Sequence, residues 1–105
     1  MKATGRNMFQ RCKKLKHIIL PSSLETIKEW CFQESGLTEL TIPDNVKKIE
    51  KYALSQCPDL KEVVLPKGLE TIPEACFMES GLEEIEVLKS VKTIETGAFA
   101  ECEKL

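Results

Sequence analysis

Five cysteines and one histidine are the residues of this 105-residue chain whose types could carry chemistry. Thiols can pair as disulfides, hold a zinc ion, or act as nucleophiles beside a histidine base. From residue types alone, Cys12 and His17 are the pair that could form such a nucleophile and base. The elements that carry these residues decide among the three roles.

The cysteines recur with one period. Cys12, Cys57 and Cys102 are 45 residues apart, and so are Cys31 and Cys76. Zinc sites use close pairs such as C-x-x-C, which this sequence lacks, and an odd number of cysteines cannot all pair within the chain. Because a free cysteine packs as a small apolar residue, we expect buried structural thiols, with no metal and no cofactor.

Two slots, four residues apart, hold these cysteines. Where the first slot has Cys31, the second has Ser35, and where the second has Cys57, the first has Ala53. The same combinations return 45 residues later. The two slots keep a nearly constant combined volume, which indicates that they pack together.

Leucine recurs every 22 or 23 residues, at Leu15, Leu37, Leu60, Leu82 and Leu105. Each of the first four starts the pattern L-x-x-L-x-L, followed by L-x-x-I and then by one aromatic or leucine slot. That slot holds Phe9, Phe32, Leu54, Phe77 and Phe99. Residues 1–105 are therefore expected to form a single domain of about four full circuits with partial ends, in which a two-circuit unit of 45 residues has been duplicated.

One circuit shows which elements the repeat predicts. Its alternating segment predicts a short strand with Val63 and Leu65 pointing inward, and Pro66 ends that strand. Residues 50–57 are predicted to form one or two helical turns. Since such a circuit cannot bury its apolar edge alone, the sequence predicts an α/β solenoid, with a parallel β ladder on one face and short helical turns on the other.

Circuit length varies only after the aromatic slot, where Gly36 and Gly81 occur in the short circuits. We expect each glycine to adopt the left-handed conformation that ends a helical turn and saves a residue. Leu88 stands where the earlier circuits have proline, so a looser turn is expected there.

The outward second, third and fifth positions of L-x-x-L-x-L form what we call the strand face. Its candidate binding residues are His17, Ile19, Glu39, Thr41, Glu62, Val64, Glu84 and Glu86. The third position gives the column His17, Glu39, Glu62 and Glu84. Like charges on neighbouring strands are mildly destabilising, so a basic partner could neutralise this column. The alternative is an ordinary solvated face.

Trp30 is a second candidate for binding. Its slot holds Tyr52, Ala75 and Gly97 in later circuits, which predicts a partly exposed edge. Partial packing explains it most simply, although an exposed tryptophan would also suit a binding hot spot.

An enzyme is not expected. Cys12 is predicted to be buried, whereas His17 is predicted to lie on the open strand face. The sequence has no phosphate-binding glycine loop and no H-E-x-x-H motif.

Composition limits the class of protein. The chain is 42% hydrophobic and 30% charged, which is typical of a folded domain. Its net charge of −2 does not favour binding to nucleic acid or to an anionic membrane. No apolar run approaches the length of a membrane span, and Met1 begins a polar stretch without the features of a signal peptide.

The frame Ala98-Phe99-x-x-Cys102-x-x-Leu105, taken with the L-x-x-I-x-L-P and L-x-x-I that follow it in other circuits, resembles the BspA-type leucine-rich repeat. The resemblance runs from about Phe9 to Leu105. It implies a surface or secreted protein that adheres to host proteins or cells, with no catalytic residues.

The sequence leaves several functions open. Leu105 would begin a strand that does not follow, so we expect an excerpt of a longer array, or end-to-end self-association. The leading hypothesis is a protein-binding or adhesion module, whose partner could be a host extracellular protein. The alternative is a structural spacer or a self-stacking unit within a larger surface protein.

Overall fold

The computed structural model describes residues 2–105. The chain runs through a partial circuit, 2–14, and then through circuits 15–36, 37–59, 60–81 and 82–104. Six short strands occur: β1 (Thr26–Ile27), β2 (Glu39–Thr41), β3 (Lys48–Ile49), β4 (Glu62–Val64), β5 (Thr71–Ile72) and β6 (Thr93–Ile94).

The predicted strand and its parallel ladder are confirmed in the two central circuits. Strands β2 and β4 pair in parallel, with Glu39 opposite Glu62 and Leu40 opposite Val63. Leu40 and Val63 are buried, whereas the residues on either side of each are exposed. The outer circuits have no strand at this position and are joined to the inner ones by backbone hydrogen bonds, such as the 3.1 Å bond from Thr38 N to Lys16 O.

A second ladder follows the L-x-x-I segment, where no strand was predicted. Strand β1 pairs with β3, and β5 pairs with β6, both in parallel. Glu50 N donates to Ile27 O, and Glu95 N donates to Ile72 O, each across 2.9 Å. Pro73 occupies the corresponding position of the circuit between them and has no amide hydrogen, which explains why the ladder does not continue from β3 to β5.

The predicted helical turns are corrected, because residues 2–105 contain no helix. Turn segments 6–11, 29–34, 51–56, 74–79 and 96–101 stand in their place. Each segment has two residues with positive φ, four positions apart, such as Trp30 at 61° and Glu34 at 57°. Left-handed residues cannot continue a right-handed helix, so the chain turns twice without forming one.

The turn segments are joined by a hydrogen-bond ladder of their own. Trp30 N donates to Lys51 O across 3.4 Å, Phe32 N to Ala53 O across 2.8 Å, and Glu34 N to Ser55 O across 3.1 Å. The same three bonds join every neighbouring pair of turn segments, at 2.7–3.4 Å. On this side, each circuit therefore donates to the circuit after it.

The core lies between the strand face and the turn segments. The aromatic or leucine slot forms a column in which Phe32, Leu54 and Phe77 are completely buried. At its two ends, Phe9 stacks on Phe32 with ring centroids 5.3 Å apart, and Phe77 stacks on Phe99 at 5.5 Å.

The expectation for Gly36 and Gly81 is wrong. Gly97 is the glycine with positive φ, and it lies in a turn segment. Gly36 and Gly81 instead lie against the previous circuit, where an added Cβ would overlap the carbonyl oxygen of Lys13 or of Pro58. Close backbone packing, rather than a left-handed turn, therefore requires these glycines.

Leu88 forms the same turn as the prolines that it replaces. Val91 N donates to Leu88 O across 3.0 Å, and Val46 N donates to Pro43 O across the same distance. The expected loosening is therefore not seen in the hydrogen bond that closes this turn.

Candidate binding face

The strand face is open to solvent at all of its candidate positions. All of these side chains are exposed in the structure: His17, Ile19, Glu39, Thr41, Glu62, Val64, Glu84 and Glu86. Alternation along β2 and β4 explains this, because successive side chains of a strand point to opposite sides.

Acidic side chains form a continuous column across this face. Register places Glu39 directly opposite Glu62 on the neighbouring strand. His17 caps one end of the column, with its Nδ1 atom 3.6 Å from the Glu39 carboxylate. A shallow depression of about 520 Å³ is lined by Thr38, Glu39, Lys61, Glu62, Glu83 and Glu84. The arrangement can attract a cationic group, because partly paired carboxylates converge there.

A less polar column lies beside the acidic one. Ile19 is 96% exposed and Val64 is 55% exposed, with Thr41 on the circuit between them. Single exposed aliphatic side chains are common on protein surfaces, so these two do not by themselves mark a binding site.

Trp30 lies away from the strand face, in turn segment 29–34. It is half-buried, which confirms the predicted partial packing, and it stacks on Tyr52 with ring centroids 4.2 Å apart and planes 4° apart. Because Tyr52 covers one face of the Trp30 ring, much of the indole surface is used for packing within the protein.

The expectation that all five thiols are buried is corrected. Cys31, Cys57 and Cys76 are buried, Cys102 is half-buried, and Cys12 is exposed. Burial raises the pKa of Cys31, Cys57 and Cys76 above the ordinary value of a thiol.

The exposure of Cys12 has a local cause. Cys57 is covered by the circuit before it, where its thiol donates to Phe32 O across 3.1 Å and lies 3.5 Å from Ser35 Oγ. Residues 2–105 supply no corresponding contact to the thiol of Cys12, which is exposed. Nothing in the structure joins Cys12 to His17, whose nearest ionic partner is Glu39.

A charged trough of about 850 Å³, which the sequence reasoning missed, follows the second ladder. Its floor includes Ile49 and Pro73. Its cations are Arg6, Lys28, Lys47, Lys48 and Lys51, and its carboxylates are Glu29, Glu50, Glu70, Glu74 and Glu95. Pro73 was the feature of the sequence that could have indicated the trough, because a proline interrupts the hydrogen bonds of the second ladder at that point. Ion pairs such as Arg6–Glu29 at 3.1 Å neutralise part of its charge.

Residues 2–105 contain no cluster of three or more histidine, cysteine or acidic residues arranged to hold a metal ion. None of their elements is a helix that is long and apolar enough to cross a membrane.

Comparisons with known proteins agree with the repeat. The BspA type leucine rich repeat region matches residues 1–105, in six copies. No curated protein matches the chain. The crystal structure of a leucine-rich repeat protein from Bacteroides ovatus ATCC 8483 matches with a TM-score of 0.96 and 36% identity, over 99% of this chain. The chain spans 27% of that protein's length. The chain belongs to the BspA-type leucine-rich repeat family.

Proposed function

We propose that this chain is a protein-binding module of a larger surface or secreted leucine-rich repeat protein, and that its strand face adheres to a basic surface of a protein partner. The observation that carries the proposal is the column of exposed carboxylates formed by Glu39, Glu62 and Glu84. Family membership supports it, because repeats of this kind commonly mediate protein interactions.

Electrostatics gives the column a physical role. Like charges that face each other on neighbouring strands destabilise the free protein by roughly a few tenths of a kcal/mol. A cationic partner would remove that repulsion and would gain attraction across the same surface. Ile19 and Val64 would then supply apolar contact beside the charges, so that the partner buries both columns together.

The test is a binding screen against immobilised host matrix and serum proteins. The protein is compared with the triple variant Glu39→Lys, Glu62→Lys and Glu84→Lys. The matched control is Glu25→Lys, Glu70→Lys and Glu103→Lys, which changes the net charge equally at exposed positions outside the strand face. Binding that is lost in the first triple variant alone supports the proposal, whereas equal binding by all three proteins excludes this face.

A structural spacer is the second candidate. The observation that favours it is length, because the chain spans 27% of the solved relative and could hold other repeats in place. A spacer predicts that this chain binds nothing in the screen, and that removing it from a longer parent protein changes the distance between the flanking repeats.

A further inference from the structure

We propose that the junction between circuits 37–59 and 60–81 is a hinge, about which residues 15–59 tilt relative to residues 60–104. Each of these two units has two circuits and the 45-residue length of the duplication in the sequence. The junction is internal, because β3 of the first unit pairs with β1 on its other side, and β5 of the second unit pairs with β6. The proposal does not depend on the strand-face function, because the tilt requires no binding partner.

The second ladder is interrupted at this junction. Strands β3 and β5 do not pair, whereas β1 pairs with β3 and β5 pairs with β6. In the described chain no backbone hydrogen bond joins residues 45–51 to residues 68–73. Ile49 O therefore has no backbone donor, although Ile27 O and Ile72 O each accept an amide across 2.9 Å from the next circuit.

One residue of the repeat accounts for two of the missing contacts. Glu50 donates its amide to Ile27 O across 2.9 Å, and its carboxylate accepts the amide of Glu29 across 3.3 Å. Glu95 makes the same two contacts with the circuit before it. Pro73 occupies this slot in circuit 60–81, and it has neither an amide hydrogen nor a carboxylate. Both contacts are therefore absent at the hinge.

A third contact is absent at Gly68. The same slot holds Asn45 and Ser90 in the neighbouring circuits. Asn45 Nδ2 donates to Ser22 O across 2.6 Å, and Ser90 Oγ donates to Leu69 O across 2.8 Å, so each side chain binds the preceding circuit. Gly68 has no side chain with which to form such a bond. Three contacts that join the other circuits are thus absent together at one junction.

The charged trough opens where these contacts are absent. Lys47, Lys48 and Lys51 line it from circuit 37–59, and Glu70 and Glu74 line it from circuit 60–81. All five side chains are exposed to solvent. No ion pair among residues 2–105 joins these two circuits. The opposite charges therefore do not replace the missing hydrogen bonds, and this side of the junction stays open.

The other two sides of the junction remain joined. Strands β2 and β4 pair on the strand face, and Tyr52 N donates to Glu74 O across 3.1 Å in the turn ladder. Lys67 N donates to the Asp44 carboxylate across 3.1 Å, between the strand face and the second ladder. Because two sides are held and one is free, the circuits tilt to widen or narrow the trough and do not separate.

The hinge gives the protein a way to change the curvature of its strand face. Glu39 of β2 lies opposite Glu62 of β4, so the acidic column crosses the same junction. A tilt that widens the trough alters the angle between these two strands without breaking their pairing. In repeat proteins each circuit contacts only its neighbours, so one weak junction divides the array into two units.

The first test measures the distance between two spin labels by pulsed electron paramagnetic resonance. Labels at Glu25→Cys and Lys92→Cys, two exposed positions in circuits on opposite sides of the hinge, report the tilt. The background contains Cys12→Ser and Cys102→Ser, so that the exposed and the half-buried native thiols are not labelled. We expect a broad distribution of distances in the protein that retains Pro73.

Pro73→Glu introduces the residue that circuits 37–59 and 82–104 have in this slot, and we expect it to remove the longest distances from the distribution. The matched control is Pro58→Glu, at an exposed position outside the second ladder where the repeat has Glu103 one duplication later. Pro58→Glu should leave the distribution unchanged. A narrow distribution in the protein that retains Pro73, or the same distribution in both variants, would overturn the proposal.

Gly68→Asn is a second, milder variant, which decides the question if Pro73→Glu does not fold. Gly68 does not have positive φ, and an added Cβ would meet only the flexible end of Lys47, 3.2 Å away. The new side chain can bind the preceding circuit as Asn45 does, so the longest distances should again be lost. An unchanged distribution in Gly68→Asn would count against the hinge.

The second test measures hydrogen exchange of single amides by NMR. Lys51 occupies the slot of Glu29 and Glu74, whose amides donate to carboxylates across 3.3 and 3.2 Å, whereas no residue among 2–105 accepts the Lys51 amide. After correction for intrinsic rates, we expect the Lys51 amide to exchange roughly tenfold faster than the other two, and Pro73→Glu to slow it to their rate. Equal protection of all three amides in the unmodified protein would mean that the junction is closed in solution, which contradicts the hinge.

Discussion

The Cys57 thiol donates a hydrogen bond to Phe32 O of the preceding circuit across 3.1 Å. The corresponding bond, 45 residues later, joins Cys102 to Phe77 O across 3.0 Å. A buried thiol in this slot therefore satisfies a carbonyl group as well as filling space, which a methyl group of similar size could not do.

The different burial of the five thiols predicts different reactivities. In the folded protein we expect Cys12 to react readily with an alkylating reagent, and Cys102 to react more slowly. Cys31, Cys57 and Cys76 should react only after unfolding, because burial both blocks access and raises the pKa of each thiol, so that little thiolate forms near neutral pH.

Timed alkylation followed by mass spectrometry of the peptides measures each cysteine separately. The same reaction in denaturant is the control, since all five thiols should then react at similar rates. Rapid labelling of Cys76 in the folded protein, while Cys12 stays unlabelled, would show that the circuits do not pack as described.

The repeat could be predicted from the sequence because its signal is redundant. Each inward position, such as Leu40 or Val63, recurs at one offset in every circuit, so a single ambiguous residue does not shift the register. The same redundancy placed the strand face and its acidic column on the exposed side. What that face binds could not be predicted, because exposed carboxylates such as Glu39 and Glu62 suit both solvent and a cationic partner.

The turn segments were mispredicted for a physical reason. The spacing of Ala53 and Cys57 by four residues fits one helical face, but two consecutive turns with left-handed residues give the same spacing. Trp30, Tyr52 and Glu34 do not have the side chains that usually signal positive φ. Asn7 and Gly97, which occupy the slot of Trp30 in the first and last circuits, do have that tendency and were the one local signal of a left-handed residue. The ladder between turn segments fixes that conformation, and it depends on the neighbouring circuits.

The close backbone contact at Gly36 predicts a specific loss of stability. Gly36→Ala would drive its new Cβ into the Lys13 carbonyl oxygen, and relieving that overlap should cost about 1–3 kcal/mol. Gly81→Ala should behave alike, because Pro58 stands in the same relation to it. Thermal unfolding followed by circular dichroism measures both.

Gly5→Ala is the control for these two variants. The nearest atom to a Cβ at Gly5 would be 4.0 Å away, so the substitution should change stability by less than about 0.5 kcal/mol. If Gly36→Ala unfolded at the same temperature as Gly5→Ala, the close approach would not be what requires glycine at that position.

The stacked rings of Trp30 and Tyr52 should stabilise one another. A double-mutant cycle of Trp30→Ala and Tyr52→Ala is expected to give a coupling of about 0.5–1.5 kcal/mol. Alanine suits the backbone there, because Ala75 occupies the same slot with a φ of 51°. Chemical denaturation measures the free energy of unfolding of each variant in the cycle. The control combines Trp30→Ala with Ile19→Ala on the strand face, and the changes in unfolding free energy of these two substitutions should be additive. Additivity in the first cycle as well would mean that the stack contributes nothing.

Glu101 links stability to pH. The protonated Glu101 carboxyl can donate a hydrogen bond to Glu79, and the negative charge of Glu79 disfavours the ionised form, so the pKa of Glu101 is raised above its ordinary value. The folded state therefore favours the protonated form of Glu101, so the ionised group destabilises the protein at neutral pH. That penalty should fade as the pH drops through the raised pKa.

We expect Glu101→Gln to raise the melting temperature near pH 7 and to have little effect in acid, where the native carboxyl is already protonated. Glu103→Gln is the control, because Glu103 makes the smallest contribution to the shift. Melting temperatures of the variants and of the unmodified protein are measured across this pH range. If Glu101→Gln raised the melting temperature by the same amount in acid as at pH 7, the charge of Glu101 would not be the cause.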